Sequence, residues 1–346
     1  MNVSALLLAL FLPLHAFAQG YAGLGSLSEG FATPKNGYQL QFPRDHAAHP
    51  DFRIEWWYVT ANLTDNAGNP MGLQWTLFRQ AAQAGATGTG WQDPQIWMGH
   101  AGLTLAGQHF SAEKFARGGI GQAGIHTGPF QAYIDDWDLA ADGPNLEQVH
   151  LSASGVDFSY DVDLTATGPL ILHGDNGYSV KSAQGQASYY YSQPYYEVSG
   201  QVIVDGQPVA VTGNAWLDRE WSSQPLAADQ TGWDWFSLHF DDNVRLMAFR
   251  LRGDDNYTSG TWIAPNGETT PLPNGALKFT PLEVHNTAGR DVPVRWRVEL
   301  PERGVDVITS AINPDAYMNT LFPYWEGPIV IEGSHSGVGY LEMTGY

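Results

Sequence analysis

The sequence contains no cysteine. That absence excludes disulfides, thiolate nucleophiles, zinc–thiolate sites and lipoprotein anchoring through an N-terminal Cys. Basic residues are few: 16 Lys+Arg stand against 36 Asp+Glu, a net charge of −20, and the lysines are Lys35, Lys114, Lys181 and Lys278. Such a chain has no basic stripe to meet a phosphate backbone or an anionic membrane surface. Nucleic acid is therefore excluded as the main partner, and a neutral or apolar small molecule suits the charge balance better. Helical periodicity is nearly absent, with only residues 111–117 (SAEKFAR) reading as a short helix. There is no Gly-x-Ser-x-Gly elbow for a serine hydrolase. His46 and His49 lie with Asp45 and Asp51 in a Pro-bounded loop, but nothing nearby completes a ligand set, so neither a metal nor a cofactor is expected.

Long apolar runs are also missing outside the N-terminus. Ser4–Leu12 is apolar but too short to span a bilayer, and Ala16-Phe17-Ala18 is a small-x-small cleavage motif before Gln19. No Lys or Arg precedes the run. The pattern nevertheless reads as a signal peptide over residues 1–18, giving a secreted or periplasmic protein whose mature chain has no integral membrane span. Residues 19–35, rich in Gly and Ser, read as a loose leader.

The chain is rich in turn formers and aromatics, with 39 Gly, 21 Pro and 13 Trp in 346 residues. Residues 55–63 (EWWYVTANL) and 73–79 (LQWTLFR) flank the turn cluster Asp65–Pro70, which predicts strand, turn, strand. Val202–Val211 turns at Asp205-Gly206, the preferred type I′ pair. Ser237–Phe240 and Val244–Arg252 flank Asp241–Asn243, and Trp296–Leu300 alternates with period two. The fold class is all-β and antiparallel. Arg53-Ile54-Glu55-Trp56 is echoed by Arg219-Glu220-Trp221 and Trp325-Glu326, a pattern compatible with duplication. Around Gly213–Ser223 and Gly232–Phe236, acids sit among Trp216, Trp221, Trp233 and Trp235. A carboxyl shielded by apolar surface holds its proton to higher pH and can act as a donor. The plain structural reading is that Arg219 pairs with Asp218 or Glu220 while the tryptophans fill a core.

One spaced series runs through almost the whole mature chain. It comprises Phe42–Pro50, Glu55–Tyr58, Met98–Ala101, Gly174–Lys181, Ala187–Ser192, Gly213–Trp221, Gly232–Phe236, Tyr324–Gly327 and Gly339–Tyr346. The series resembles the lipocalin-like family containing bacterial carotenoid 1,2-hydratase (hydroxyneurosporene synthase) and secreted proteins encoded beside ABC exporters, often labelled "predicted secreted hydrolase". The resemblance implies two tandem lipocalin-like antiparallel β-barrels, placed here at 19–219 (hydratase-type) and 220–346. It also implies a polyene or lipid held in an aromatic cavity at or between the barrels, and an ABC transporter system as a partner.

Within that resemblance Asp218 corresponds to the hydratases' acid. Adding water to an isolated alkene needs a carbon-protonating acid, aromatic faces to shelter the cation, and a held water. The hydratases' flanking histidines are replaced here by Leu217 and Arg219. An adjacent arginine would keep Asp218 ionised, unless the two face opposite sides of a strand. Glu55 and His100 are the other candidate catalytic groups, with a salt bridge and a hydrogen-bonded barrel histidine as their structural readings. Candidate ligand-binding residues are Trp56, Trp57, Tyr58, Tyr190, Trp216, Trp221, Trp233, Trp235 and Tyr324. Tyr324 and Glu326 also fit core packing at the cavity's edge. Three functions compete: a hydro-lyase acting on an apolar alkene, a non-catalytic periplasmic lipid carrier or chaperone serving an ABC exporter, and a glycan-binding protein or glycosidase.

Overall fold

A computed structural model describes residues 23–25, 29–85 and 88–346. The apolar run at 4–12 and the motif at 16–18 lie outside the described residues. Among the described residues, all regular structure is antiparallel β apart from short 3-10 turns. The first sheet comprises β1 (Ile54–Asp65), β2 (Pro70–Ala81), β3 (Gln95–Leu105), β4 (Gln108–Arg117), β5 (Ala123–Thr127), β6 (Phe130–Ile134), β7 (Trp137–Ala141), β8 (Gln148–Ser154), β9 (Phe158–Ala166), β10 (Ile171–Leu172), β11 (Tyr178–Val180), β12 (Ala187–Val204) and β13 (Gln207–Ser222). Its order is β4-β3-β2-β1-β13-β12-β9-β8-β7-β6-β5, with β10 and β11 paired to β12. The second sheet contains β14 (Gly232–Phe240), β15 (Arg245–Arg252), β16 (Tyr257–Ile263), β17 (Thr269–Leu272), β18 (Lys278–Thr287), β19 (Arg290–Leu300), β20 (Val305–Ala311), β21 (Tyr317–Met318), β22 (Tyr324–Gly333) and β23 (Gly337–Thr344). It runs β17-β16-β15-β14-β23-β22-β20-β19-β18, with β21 on β22.

Each sheet curls around its own core, the first nearly closed and the second a half-barrel, so the all-β, two-barrel lipocalin-like expectation holds. Trp57, Val59, Leu73, Trp75, Leu77, Trp137 and Leu217 fill the first interior with side chains. Phe236, Leu238, Trp296 and Trp325 fill the second. A third apolar cluster lies between the sheets and unites Ile54, Tyr58, Tyr190 and Trp216 with Trp235, Phe249 and Tyr340. Strands at this seam are therefore buried on both faces. In β1, residues 57, 59, 61 and 63 enter the first core while 54 and 58 face the second sheet. This is why β1 and β13 lack clean hydrophobic alternation.

The seam is tight. At Gly72, a Cβ would sit 2.5 Å from the ring of Pro328 on β22. Gly72→Ala should therefore lower stability by about 1–3 kcal/mol through overpacking. Thermal denaturation checks this, and an unchanged midpoint would mean the two sheets can part without cost.

Three expectations change. Residues 111–117 form most of β4, not a helix: Ser, Ala, Glu, Lys and Arg carry weak local preference, and pairing along Ile96–Leu105 of β3 overrides it. The Arg53–Trp56 and Arg219–Trp221 echo does not mark equivalent strands of two barrels. Glu55 and Trp221, like Trp56 and Glu220, are cross-strand neighbours within one sheet. The described part of the leader is docked, with Leu24 buried and Arg53 donating to the carbonyls of Gly23 and Leu24. The hairpin turn at Asp205-Gly206 forms with both residues at positive φ (49° and 76°), as a type I′ turn requires. β13 continues to Ser222, past the division placed after residue 219, and β14 begins at Gly232.

Candidate functional site

Between the sheets lies a cavity of about 170 Å³. Even-numbered residues of β1, β2 and β3 form one wall: Trp56, Tyr58, Thr76, Phe78, Met98 and His100. Asp218 and Glu220 of β13 complete that side. Trp233 and Trp235 of β14, Phe249 and Leu251 of β15, Tyr324 of β22 and Glu342 of β23 form the other. Ile96 and Phe115, about half exposed at 47% and 46%, form an apolar lip with Phe322.

Alternation along β13 settles the relation between Asp218 and its neighbour. Leu217 and Arg219 point into the first barrel, and Asp218 points into the cavity. Asp218 is thereby relieved of the arginine. Its Oδ2 accepts from the Tyr190 hydroxyl at 2.5 Å, and its Oδ1 accepts from Trp216 Nε1 at 2.6 Å and from Ser192 Oγ. Tyr190 also accepts from Trp235 Nε1 at 3.2 Å, while Ser192 bonds His173 at 2.6 Å. Burial pushes the Asp218 carboxyl up to about 7, against the lowering effect of those three donors. The result is a carboxylic acid fixed in orientation and half-protonated near neutrality. Glu220, opposite Tyr190 and Trp56 in register, is neutralised by Lys181 at 2.8 Å. The Lys181 ammonium also lies over the Tyr190 and Phe249 rings.

Glu55 is a correction to the candidate catalytic set. It lies on the barrel-interior face of β1, fully buried, and bonds Arg79 Nε, Arg219 Nη2 and the His49 backbone N–H at 2.8 Å. Burial raises its carboxyl, but Arg79 and Arg219 overcome this and hold it well below the usual range, so it is a fixed anion away from the cavity. Trp57 and Trp221 leave the ligand-binding set for the same reason of parity. Trp57 packs in the first core with Arg219 over its ring at 3.8 Å, and Trp221 stacks on His49 at 4.0 Å.

Tyr190 and Trp216 do not line the cavity but hold Asp218 from behind. The Tyr189–Tyr191 run splits as strand alternation requires, Tyr190 toward the seam and its two neighbours toward Trp221. Trp56, Tyr58, Trp233, Trp235 and Tyr324 all reach the cavity. His100 lines it too, buried, with Nδ1 bonded to the Tyr324 hydroxyl at 2.9 Å and Nε2 to Glu113 at 3.1 Å. Burial lowers its pKa and Glu113 opposes that, leaving a neutral ring. Sequence reasoning missed Lys181, Glu220 and Glu342 as cavity residues. Each lies in a motif quoted above, but only strand register brings them together.

A protonated Asp218 can deliver a proton to an unsaturated carbon in a site walled by indole and phenyl faces, which favour a developing cation.

A family model described as AttH-like matches residues 33–346. An AttH of Nitrosomonas europaea is 34% identical in sequence, with a TM-score of 0.80 over 91% of this chain and 100% of that one. Kievitone hydratase from Nectria haematococca shares the fold at 16% identity and a TM-score of 0.67, over 91% of this chain and 98% of that one. CghA, in a complex with Sch210972, has 12% identity and a TM-score of 0.53 over 85% and 88% of the two chains. No curated protein matches the sequence. The AttH-like match covers residues 33–346 of this two-sheet lipocalin-like scaffold, and the chain belongs to the AttH-like family.

Proposed function

We propose that this protein is a hydro-lyase that adds water across a carbon–carbon double bond of an apolar ligand, with Asp218 as the proton donor. One observation carries the reading: Asp218 faces an aromatic cavity, fully buried and with no arginine on it. A hydratase built on the same fold supports it. The proton goes from Asp218 to one alkene carbon as the π bond breaks, a water oxygen bonds to the other, and the resulting oxonium gives up a proton to leave an alcohol. The faces of Trp56, Tyr58, Trp233, Trp235, Phe78 and Phe249 shelter the intermediate cation. An engineered cavity of about 150 Å³ takes one benzene. A space of about 170 Å³ therefore admits a ring or one end of a longer chain, the remainder lying across Ile96, Phe115 and Phe322. A polyene would react at its terminus.

The same reading places the protein outside the cytoplasm, on the strength of the apolar run at 4–12 and Ala16-Phe17-Ala18. A second reading, a lipid carrier serving an ABC exporter, is favoured by the three donors on Asp218, which equally suit a fixed acceptor for a ligand hydroxyl. Native mass spectrometry of protein purified from its own source, followed by incubation of the co-purifying ligand in H₂¹⁸O, separates the two. Incorporation of ¹⁸O into an alcohol product supports hydration, and release of unchanged ligand supports carriage. Trp235→Ala should weaken binding of that ligand by roughly 1–3 kcal/mol, as expected for a lost aromatic wall. Unchanged affinity with reduced stability would make Trp235 a packing residue only.

A further inference from the structure

Asp218 accounts for one of the buried acids at the seam. Glu326 of β22 and Glu342 of β23 are cross-strand partners in register and share the face toward the first sheet. Side chains directly opposite in this way stand about 5 Å apart at Cβ. Glu342 lines the cavity. Glu326 lies behind it, accepts from the Tyr58 hydroxyl and faces Tyr324. Tyr324 in turn bonds His100 Nδ1 at 2.9 Å, and His100 Nε2 bonds Glu113 Oε1 at 3.1 Å. Glu113 is 21% exposed and His100 is 1% exposed, so the chain of bonds runs from Tyr324, beside the buried pair, to the surface.

We propose that Glu326 and Glu342 form a second proton-handling pair in the cavity, connected to solvent through Tyr324, His100 and Glu113. The groups facing the pair are Tyr58, Tyr160, Tyr324, Tyr340, Trp233, Asp218 and Glu220. None of these is a cation, and Lys181 is engaged by Glu220. Burial raises both carboxyls, and each raises the other or is raised by Asp218 and Glu220 nearby. Two carboxyls so placed resist being ionised together, so the pair holds at least one proton, like other close carboxylate dyads.

The path conserves hydrogen bonds in both directions. A proton on Glu326 passes to the Tyr324 oxygen, the Tyr324 proton passes to His100 Nδ1, and the Nε2 proton passes to Glu113. One proton leaves the pair, and one arrives at the surface. In the hydration reading, on which this role rests, Asp218 gives a proton to carbon. The adding water then gives one of its protons to the pair, with Glu342 receiving it. The pair discharges that proton through His100, and Asp218 regains one from solvent as product leaves.

The pair can be tested with no ligand at all, using D₂O as the probe. In Asp218→Asn protein, infrared spectra at neutral pH should retain a protonated-carboxyl band, and replacing both members, Glu326→Gln with Glu342→Gln, should remove it. On transfer to D₂O that band should shift rapidly, and His100→Phe should slow the shift by roughly 10²-fold with backbone amide exchange unchanged. Should His100→Phe fail to fold, Glu113→Gln on the edge strand β4 takes its place and should slow the shift likewise. Absence of the band, or its survival when both carboxyls are replaced, overturns the pair. An unchanged exchange rate in the relay variants overturns the path. Because no turnover is measured, failure here is distinct from failure of the hydration reading, which the ¹⁸O experiment decides.

Discussion

Asp218→Asn should abolish turnover while making the folded protein more stable at alkaline pH. Removing a positioned general acid costs typically 10²–10⁴-fold in rate. Asn keeps the shape and still accepts from Trp216 and Ser192, so binding of an apolar ligand should persist. The stability change follows from linkage. The carboxyl stands at about 7 in the folded protein against about 3.9 when unfolded, so the folded state binds the extra proton between those values. Stability conferred on the folded state by this group is therefore highest below about pH 4, falls as pH rises toward 7, and is flat above that. Three pH units correspond to about 4 kcal/mol as an upper bound. The Asn variant lacks this slope. Urea denaturation from about pH 4 to 8 should show wild-type and variant curves diverging in the variant's favour. Parallel curves would mean that Asp218 is ionised throughout, and unchanged turnover on an identified substrate would remove it from the mechanism. For the same reason, the wild-type rate should fall as pH rises through about 7.

The opposite pH behaviour is expected at Arg219. This arginine and Arg79 flank Glu55 with essentially no solvent contact. Arg219→Met strips one cation from a buried anion, and removing one partner of such a group costs about 3–5 kcal/mol. Glu55 is held below its ordinary range in the folded state, so its stabilising contribution is present above about pH 4 and is lost as pH falls toward the folded value. The deficit of Arg219→Met should accordingly be largest at neutral pH and shrink in acid. A loss under about 1 kcal/mol at neutral pH would show that Glu55 is solvated or neutral, contrary to its burial. The two variants differ by one position in sequence and should move stability in opposite directions.

That one-residue contrast also marks how much was legible beforehand. The β-branched and aromatic runs of β1 and β2 and the Asp205-Gly206 turn carry local information, so those elements were readable. Asp218 could be singled out, and strand alternation was enough to foresee that Arg219 need not touch it. The choice among tryptophans was not readable, because Trp56 and Trp57 differ only in which face of β1 they occupy. That face is fixed by pairing with Glu220 and Arg219 more than 160 residues away. Glu55 looked like a second catalytic acid for the same reason, since its arginines come from β2 and β13. Glu342 was harder still: a carboxyl near the C-terminus becomes a cavity group only when β23 lies beside β14 and opposite the first sheet. The segment 111–117 misled because local preference there is weak and an edge strand takes its conformation from its neighbour.

The seam location has a consequence for diversification. Asp218 and its three donors all belong to the first sheet, whereas Trp233, Trp235, Phe249 and Leu251 belong to the second. The cradle that orients Asp218 thus sits on one packed half, while the facing wall of the cavity sits on the other. Resculpting β14 and β15 can therefore reshape the cavity for a different guest while the Asp218 carboxyl stays anchored in the first sheet.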